Sequence, residues 1–180
     1  MDSLVQYSIP VRGLRSGTHQ FDFQVDDEFF RCFESSPIAQ GNINLTLLFD
    51  KRPDMYVLQF DFEGTVKSEC DRCLASIDLP VSDSQRLVVK LSEQPEAEDA
   101  EVIYIHPEDQ HLNVATYIYE YIILSMPFMN VYDCENDINR VCNLEMLQYL
   151  QNEYKAAEEE EENEQNPFWE ELKKLNIKNH

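Results

Sequence analysis

Between Asn42 and Glu63 the side chains switch character at every second position. Ile43, Leu45, Leu47 and Phe49 alternate with Asn44, Thr46 and Leu48. A polar Asp50-Lys51-Arg52-Pro53-Asp54 turn follows, and Tyr56, Leu58, Phe60 and Phe62 then alternate with Gln59, Asp61 and Glu63. A period of two over two runs joined by a tight polar turn predicts a β-hairpin with one apolar face. Such a ribbon is not stable alone and has to be covered by further strands or a helix. This constrains the fold more than any other feature of the chain.

Cover is available on both sides. Phe21, Phe23 and Val25 alternate with Asp22 and Gln24, and Val5 to Val11 reads as another extended run. Asp26 or Asp27 caps a short helix that carries Phe29, Phe30 and Phe33. After the hairpin, Ile77, Leu79 and Val81 suggest a strand, Arg86 to Leu91 another, and Val102 to Ile105 a last short one beyond an acidic loop from Ser92 to Ala100. The period then becomes helical. Asn113 is the expected N-cap of a buried helix through Ile118, Tyr121, Ile122 and Ser125, which Pro127 ends. Asn143 caps a further helix through Leu144, Met146, Leu147, Leu150 and Tyr154 that runs out into Glu158 to Glu162. Pro167 opens a short helix with Phe168, Trp169, Leu172 and Leu175 as its apolar face.

These elements predict an α+β fold. It is an antiparallel sheet or partly closed β-barrel of about six strands, with the Asn113 helix packed on it and the C-terminal helices peripheral. Residues 1–155 read as a single α+β domain, 156–166 as an acidic linker and 167–178 as the short C-terminal helix. The 180 residues, 43% of them hydrophobic, suffice for one core. Met1 leads into no basic and apolar leader, and no apolar run approaches the length of a membrane span, so a cytoplasmic protein without membrane contact is expected.

The formal net charge is −21. Residues 1–150 hold 26 acidic and 10 basic side chains, so the excess belongs to the body and not only to the glutamate run. A broad basic face for gripping nucleic acid is excluded, and RNA contact has to be local or indirect. Lys67, Arg72, Arg86 and Lys90 are the candidates for a small basic spot, against the simpler reading of scattered surface charge.

Cysteines occur at Cys32, Cys70, Cys73, Cys134 and Cys142, an odd number that argues against a disulfide framework. The spacing Cys70-x2-Cys73 is half of a zinc-knuckle signature, since two intervening residues let both thiolates face one metal across a turn. Cys134 and Cys142 are candidates for the other half. From spacing alone, a four-cysteine site and a set of plain reduced thiols both stay open. The four histidines fall in loops or at the terminus. There is no glycine-rich phosphate loop, no Gly-x-Ser-x-Gly elbow and no His-Glu-x-x-His pair, so no catalytic residue is nominated and no small-molecule substrate is expected.

The order of features has a likeness. A hairpin leads into Cys70-Asp71-Arg72-Cys73-Leu74, then an acidic loop ends in Glu101-Val102-Ile103. Glu120-Tyr121-Ile122-Ile123-Leu124-Ser125-Met126-Pro127 follows, and finally Asn166-Pro167-Phe168. Over roughly residues 40 to 178 this arrangement resembles the YceD family, whose bacterial members are described as large ribosomal RNA subunit accumulation proteins. The resemblance implies a non-enzymatic role in the production or accumulation of 23S rRNA. Some members carry extra cysteines after the proline of the buried helix, and Cys134 and Cys142 look like that set, which implies bound zinc. A mixed site of three cysteines with a histidine or water stays open, because this chain lacks a close second pair.

With the charge, the resemblance implies a basic ribosomal protein or a pre-50S particle as partner. Two other classes compete: a zinc-stabilised interaction module unrelated to ribosomes, and a metal-dependent nuclease built on clustered carboxylates, for which no motif is present.

Overall fold

The computed structural model describes residues 3–93, 102–132 and 141–163. The chain divides into two compact units, one of Met1–Glu69 with Ser76–Asn130 and one of Cys70–Ala75 with Val131–His180.

The first unit is built on the expected hairpin. Strands β3 (Gly41–Lys51) and β4 (Met55–Glu69) pair antiparallel with Leu47 opposite Phe60. Outside β3 lies β2 (Gly17–Val25), with Phe23 opposite Leu45, and outside β4 lies β5 (Ser76–Leu91). A short β6 (Val102–Ile105) joins β5 in parallel, giving an open mixed sheet in the order β2-β3-β4-β5-β6. A separate two-stranded sheet pairs β1 (Ser8–Ile9) with β7 (Leu112–Asn113). Among the described residues the architecture is α+β, with an open sheet and no closed barrel.

One face of the sheet is dry. Ile43, Leu45, Leu47 and Phe49 of β3 and Leu58, Phe60 and Phe62 of β4 are buried, as are Ala115, Ile118 and Ile122 of helix α2 (Ala115–Ser125), which lies along β5. Tyr121 of α2 meets the Phe60 ring edge-on at 5.3 Å. Asn113 Oδ1 accepts from Ala115 N at 2.9 Å at the start of α2. At its end, Met126 is extended because Pro127 follows. The four-residue helix α1 (Asp27–Phe30) is capped by Asp26, which accepts from the N–H groups of Glu28 and Phe29. It delivers Phe29 and Phe30 to the core, where Phe29 meets Tyr7 at 4.9 Å.

Three local expectations change. The run Val5 to Val11 is not one strand. Ser3–Tyr7 is a 3-10 turn that buries Tyr7, and only Ser8–Ile9 is extended. The two strands expected from Ile77 to Leu91 are one strand of 16 residues. Its polar middle, Ser82 to Gln85, interrupts the apolar alternation but not the ladder to β4. Likewise β4 continues through Gly64 to Glu69, and Gly64 is needed where it stands. A Cβ there would lie 2.6 Å from the Ile43 Cα and collide with the Asn42 carbonyl oxygen. The absent side chain lets β3 and β4 approach closely in mid-ladder.

In the second unit, helix α3 (Leu144–Asn163) starts as expected at Asn143, whose side chain accepts from Met146 N at 3.2 Å. The helix continues through Glu158 to Glu162. The expected 167–178 helix lies outside the described residues.

Candidate functional site

The Cys70–Ala75 segment follows β4 and precedes β5, and it closes on itself. Cys70 N donates to Ala75 O at 2.9 Å and Leu74 N donates to Cys70 O at 2.8 Å. Leu74 takes a left-handed conformation, φ 57°, that a leucine adopts only when held. Those two hydrogen bonds hold it. The turn tucks both sulfurs in, and Cys70 and Cys73 are fully buried thiols. Burial pushes the Cys70 thiol up. Hydrogen bonds to its sulfur from the N–H groups of Tyr132, Arg72 and Cys73, and from the Cys73 thiol, outweigh that and hold its pKa below the ordinary cysteine value.

This is the donor pattern that stabilises a thiolate, and two such sulfurs across one turn fit half of a tetrahedral metal site. Of the other two predicted ligands, Cys134 lies outside the described residues and Cys142 is engaged in a disulfide. Among the described residues, no group of three or more His, Cys, Asp or Glu side chains is gathered to hold a metal. Cys32, the fifth cysteine, donates its thiol to Glu28 O at 3.1 Å in the first unit.

Within the first unit, Lys67 does not share a spot with Arg86 and Lys90. Lys67 is paired with Asp78 at 2.9 Å, its cross-strand neighbour, whereas Arg86 stands opposite Gln59 and Lys90 opposite Met55. Eight strand positions separate residue 78 from residue 86, a span of roughly 26 Å at about 3.3 Å per residue. Arg72 belongs to the Cys70–Ala75 turn.

Sequence reasoning missed the outer face of the sheet as a surface in its own right. The register aligns Asp22, Thr46, Asp61 and Ser84 in one row across four strands, and Gln24, Asn44, Glu63 and Ser82 in the next. Thr46 Oγ1 donates to Asp22 at 2.9 Å, Gln20 Nε2 donates to Asp22 at 3.0 Å, and Gln59 Nε2 donates to Asp61 at 3.1 Å. These carboxylates are thus satisfied by neutral donors. None of Asp22, Asp61 and Glu63 belongs to the ion pairs found among the described residues, which join Arg31 to Asp27, Arg52 to Asp50 and Lys67 to Asp78. A shallow concavity of about 430 Å³ opens between the rows, lined in part by Asn44, Thr46, Asp61, Glu63 and Ser82. The alternation that marked the buried face also placed these residues opposite it, and only the register shows that they fall in line.

The profile of the family described as "Large ribosomal RNA subunit accumulation protein YceD" matches residues 58–176, well over half of the chain. The chain belongs to the YceD family. The match takes in β4 from Leu58 onward, the Cys70–Ala75 turn, β5, α2 and α3, and leaves β1, β2 and β3 outside it. No curated protein and no solved structure matches the chain. The YceD family is described by a role in the accumulation of large-subunit ribosomal RNA and not by an enzymatic reaction. No helix among the described residues is long and apolar enough to cross a membrane.

Proposed function

We propose that this YceD-family chain is a non-enzymatic, cytoplasmic ribosome-biogenesis factor that supports 23S rRNA accumulation by holding a basic ribosomal protein, free or within a pre-50S particle. The observation that carries this reading is the outer sheet face. Asp22, Asp61 and Glu63 stand in ordered rows without ion-pair partners among the described residues, on a body whose residues 1–150 carry 26 acids against 10 bases. Such a face repels a phosphate backbone and attracts a Lys- and Arg-rich protein, speeding encounter and screening that partner from nonspecific RNA contact. The route to rRNA is therefore through a protein.

The Cys70 turn supports a structural rather than a catalytic role. We infer that Cys70 and Cys73 hold zinc together with Cys134 and Cys142, the metal fixing the second unit. A sulfur in a disulfide is closed to a metal, so a thiol reductant has to cleave the Cys142 disulfide, itself becoming the oxidised disulfide, before zinc binds. The deciding experiment is a pull-down at physiological salt from growing cells, joined to subunit profiles of a deletion strain. Recovery of basic large-subunit proteins and a fall in the 23S:16S ratio are expected. Recovery of rRNA without ribosomal protein contradicts the reading, and an unchanged ratio favours a zinc-stabilised interaction module with no ribosomal role.

A further inference from the structure

Helix α3 is amphipathic but poorly covered. Met146, Leu147, Leu150 and Tyr154 recur at spacings that align them on one stripe. Yet no α3 side chain described from Leu144 to Tyr154 is buried, and Tyr154 is 71% exposed. A 20-residue helix whose apolar stripe is only half-covered at Met146, Leu147 and Leu150 and open at Tyr154 is not fully explained by its own unit, because helices in proteins draw most of their stability from packing that stripe. Over Leu144–Asn163 the sequence carries seven glutamates and one lysine. Five of the glutamates fall consecutively at the C-terminal end, where the helix dipole already places negative charge.

That distribution selects the occupant. A second α3 would bring the same excess of glutamate alongside. The rest of the chain through residue 150 is also strongly acidic. An anionic lipid surface calls for Lys and Arg on the polar face, which α3 lacks apart from Lys155. We propose that the apolar stripe of α3 docks into an apolar groove rimmed by Lys and Arg on a basic protein, and that the partner's cations neutralise the glutamate run at the helix end. This inference rests on the reading that the partner is basic and assigns the surface that grips it.

The test uses the full chain, immobilised, with the proteins extracted by lithium chloride from large ribosomal subunits as probe. Basic proteins are expected to bind. Tyr154→Ala combined with Leu150→Ala should weaken binding by about tenfold or more, with circular dichroism confirming an unchanged helix. Because Leu150 is half-buried, Tyr154→Ala alone serves as the second variant and should weaken binding in the same direction. Replacing Glu158 to Glu162 with Gln should lower affinity and flatten its salt dependence. Equal binding by all variants overturns this inference and leaves the proposed function standing, since the partner then sits elsewhere. If the unaltered chain retains no basic protein, both fail. A dimer of the unaltered chain that the Tyr154 variant dissolves, or a gain of binding on deleting residues 167–178, also overturns it by showing that the stripe is filled by a second copy or by the chain's own C-terminal segment.

Discussion

Gly64→Ala is the sharpest test of the sheet register. Gly64 stands opposite Ile43 on one side and Val81 on the other, in the middle of a three-strand ladder. An added Cβ meets the Ile43 Cα at 2.6 Å and overlaps the Asn42 backbone. Ordinary carbon contacts begin at about 3.5 Å, so β3 and β4 would have to part by nearly an ångström at this point, and both colliding groups are backbone that cannot rotate away. Overpacking of this kind costs about 1–3 kcal/mol. Alanine recovers about 0.5–1 kcal/mol by restricting the unfolded chain. Because the collision is with backbone on both counts, the upper end of that cost applies and a net loss of about 2–2.5 kcal/mol follows, seen as a fall in Tm of roughly 4–10 °C for a chain of this length. The control is Gly13→Ala, whose Cβ would meet nothing closer than Pro10 O at 3.6 Å and which should be neutral or slightly stabilising. Urea melts of the two variants read both values. If Gly64→Ala proves as stable as the parent, the Ile43–Gly64 pairing is wrong, and with it the alignment of Asp22, Asp61 and Glu63 on one face.

Further outcomes follow from other parts of the chain. Asn143→Ala removes the acceptor for Met146 N and should cost about 0.5–2 kcal/mol, read as a loss of helical ellipticity at unchanged sheet signal. Tyr7, whose hydroxyl donates to Gln24 O at 3.1 Å, has its pKa pushed up to about 12, first by burial and then by Asp26. Its folded pKa lies above the unfolded value of about 10, so its contribution is complete below pH 10 and is lost as the pH climbs toward 12. Denaturant midpoints should therefore fall across that window, and Tyr7→Phe should flatten the fall while lowering stability by about 0.5–1.5 kcal/mol at neutral pH. Protein purified under reductant should carry one zinc and show Cys70 and Cys73 protected from thiol reagents. Protein purified without it, or bearing Cys70→Ser, should carry much less. Freely titrating thiols in metal-free protein under both conditions would end the metal reading.

The hairpin was legible because its apolar residues keep strict step over two runs, and one buried face leaves no other solution. Asp26, Asn143 and Pro127 marked helix ends through chemistry that acts within three residues. The middle of β5 was not legible: Ser82 to Gln85 lose the apolar alternation, but backbone pairing with β4 carries the strand through without it. The role of Gly64 was not legible either, since it depends on Ile43, a neighbour only through the ladder. At the cysteines, the spacing of Cys70 and Cys73 revealed a turn that presents two sulfurs. The left-handed Leu74 and the N–H donor from Tyr132 were invisible, because one defies its residue preference and the other arrives from sixty residues downstream. The row of carboxylates required cross-strand register, which no single strand contains.

The pairing of Ser8 with Asn113 bears on how the chain is made. The strands β2 to β5 form a meander of sequence neighbours and can zip as soon as they emerge. Buried Ile9 cannot settle until Leu112 arrives opposite it, and the Tyr7 carbonyl accepts from Val114 N only then, although the Tyr7 ring already has Phe29 to pack on. Closing a loop of about a hundred residues adds little to the equilibrium cost, since that cost grows only with the logarithm of length, but contacts of such high sequence separation slow folding. The segment that precedes β2 is thus among the last to lock, and Ile9 lacks its strand partner until the chain as far as Leu112 has folded back.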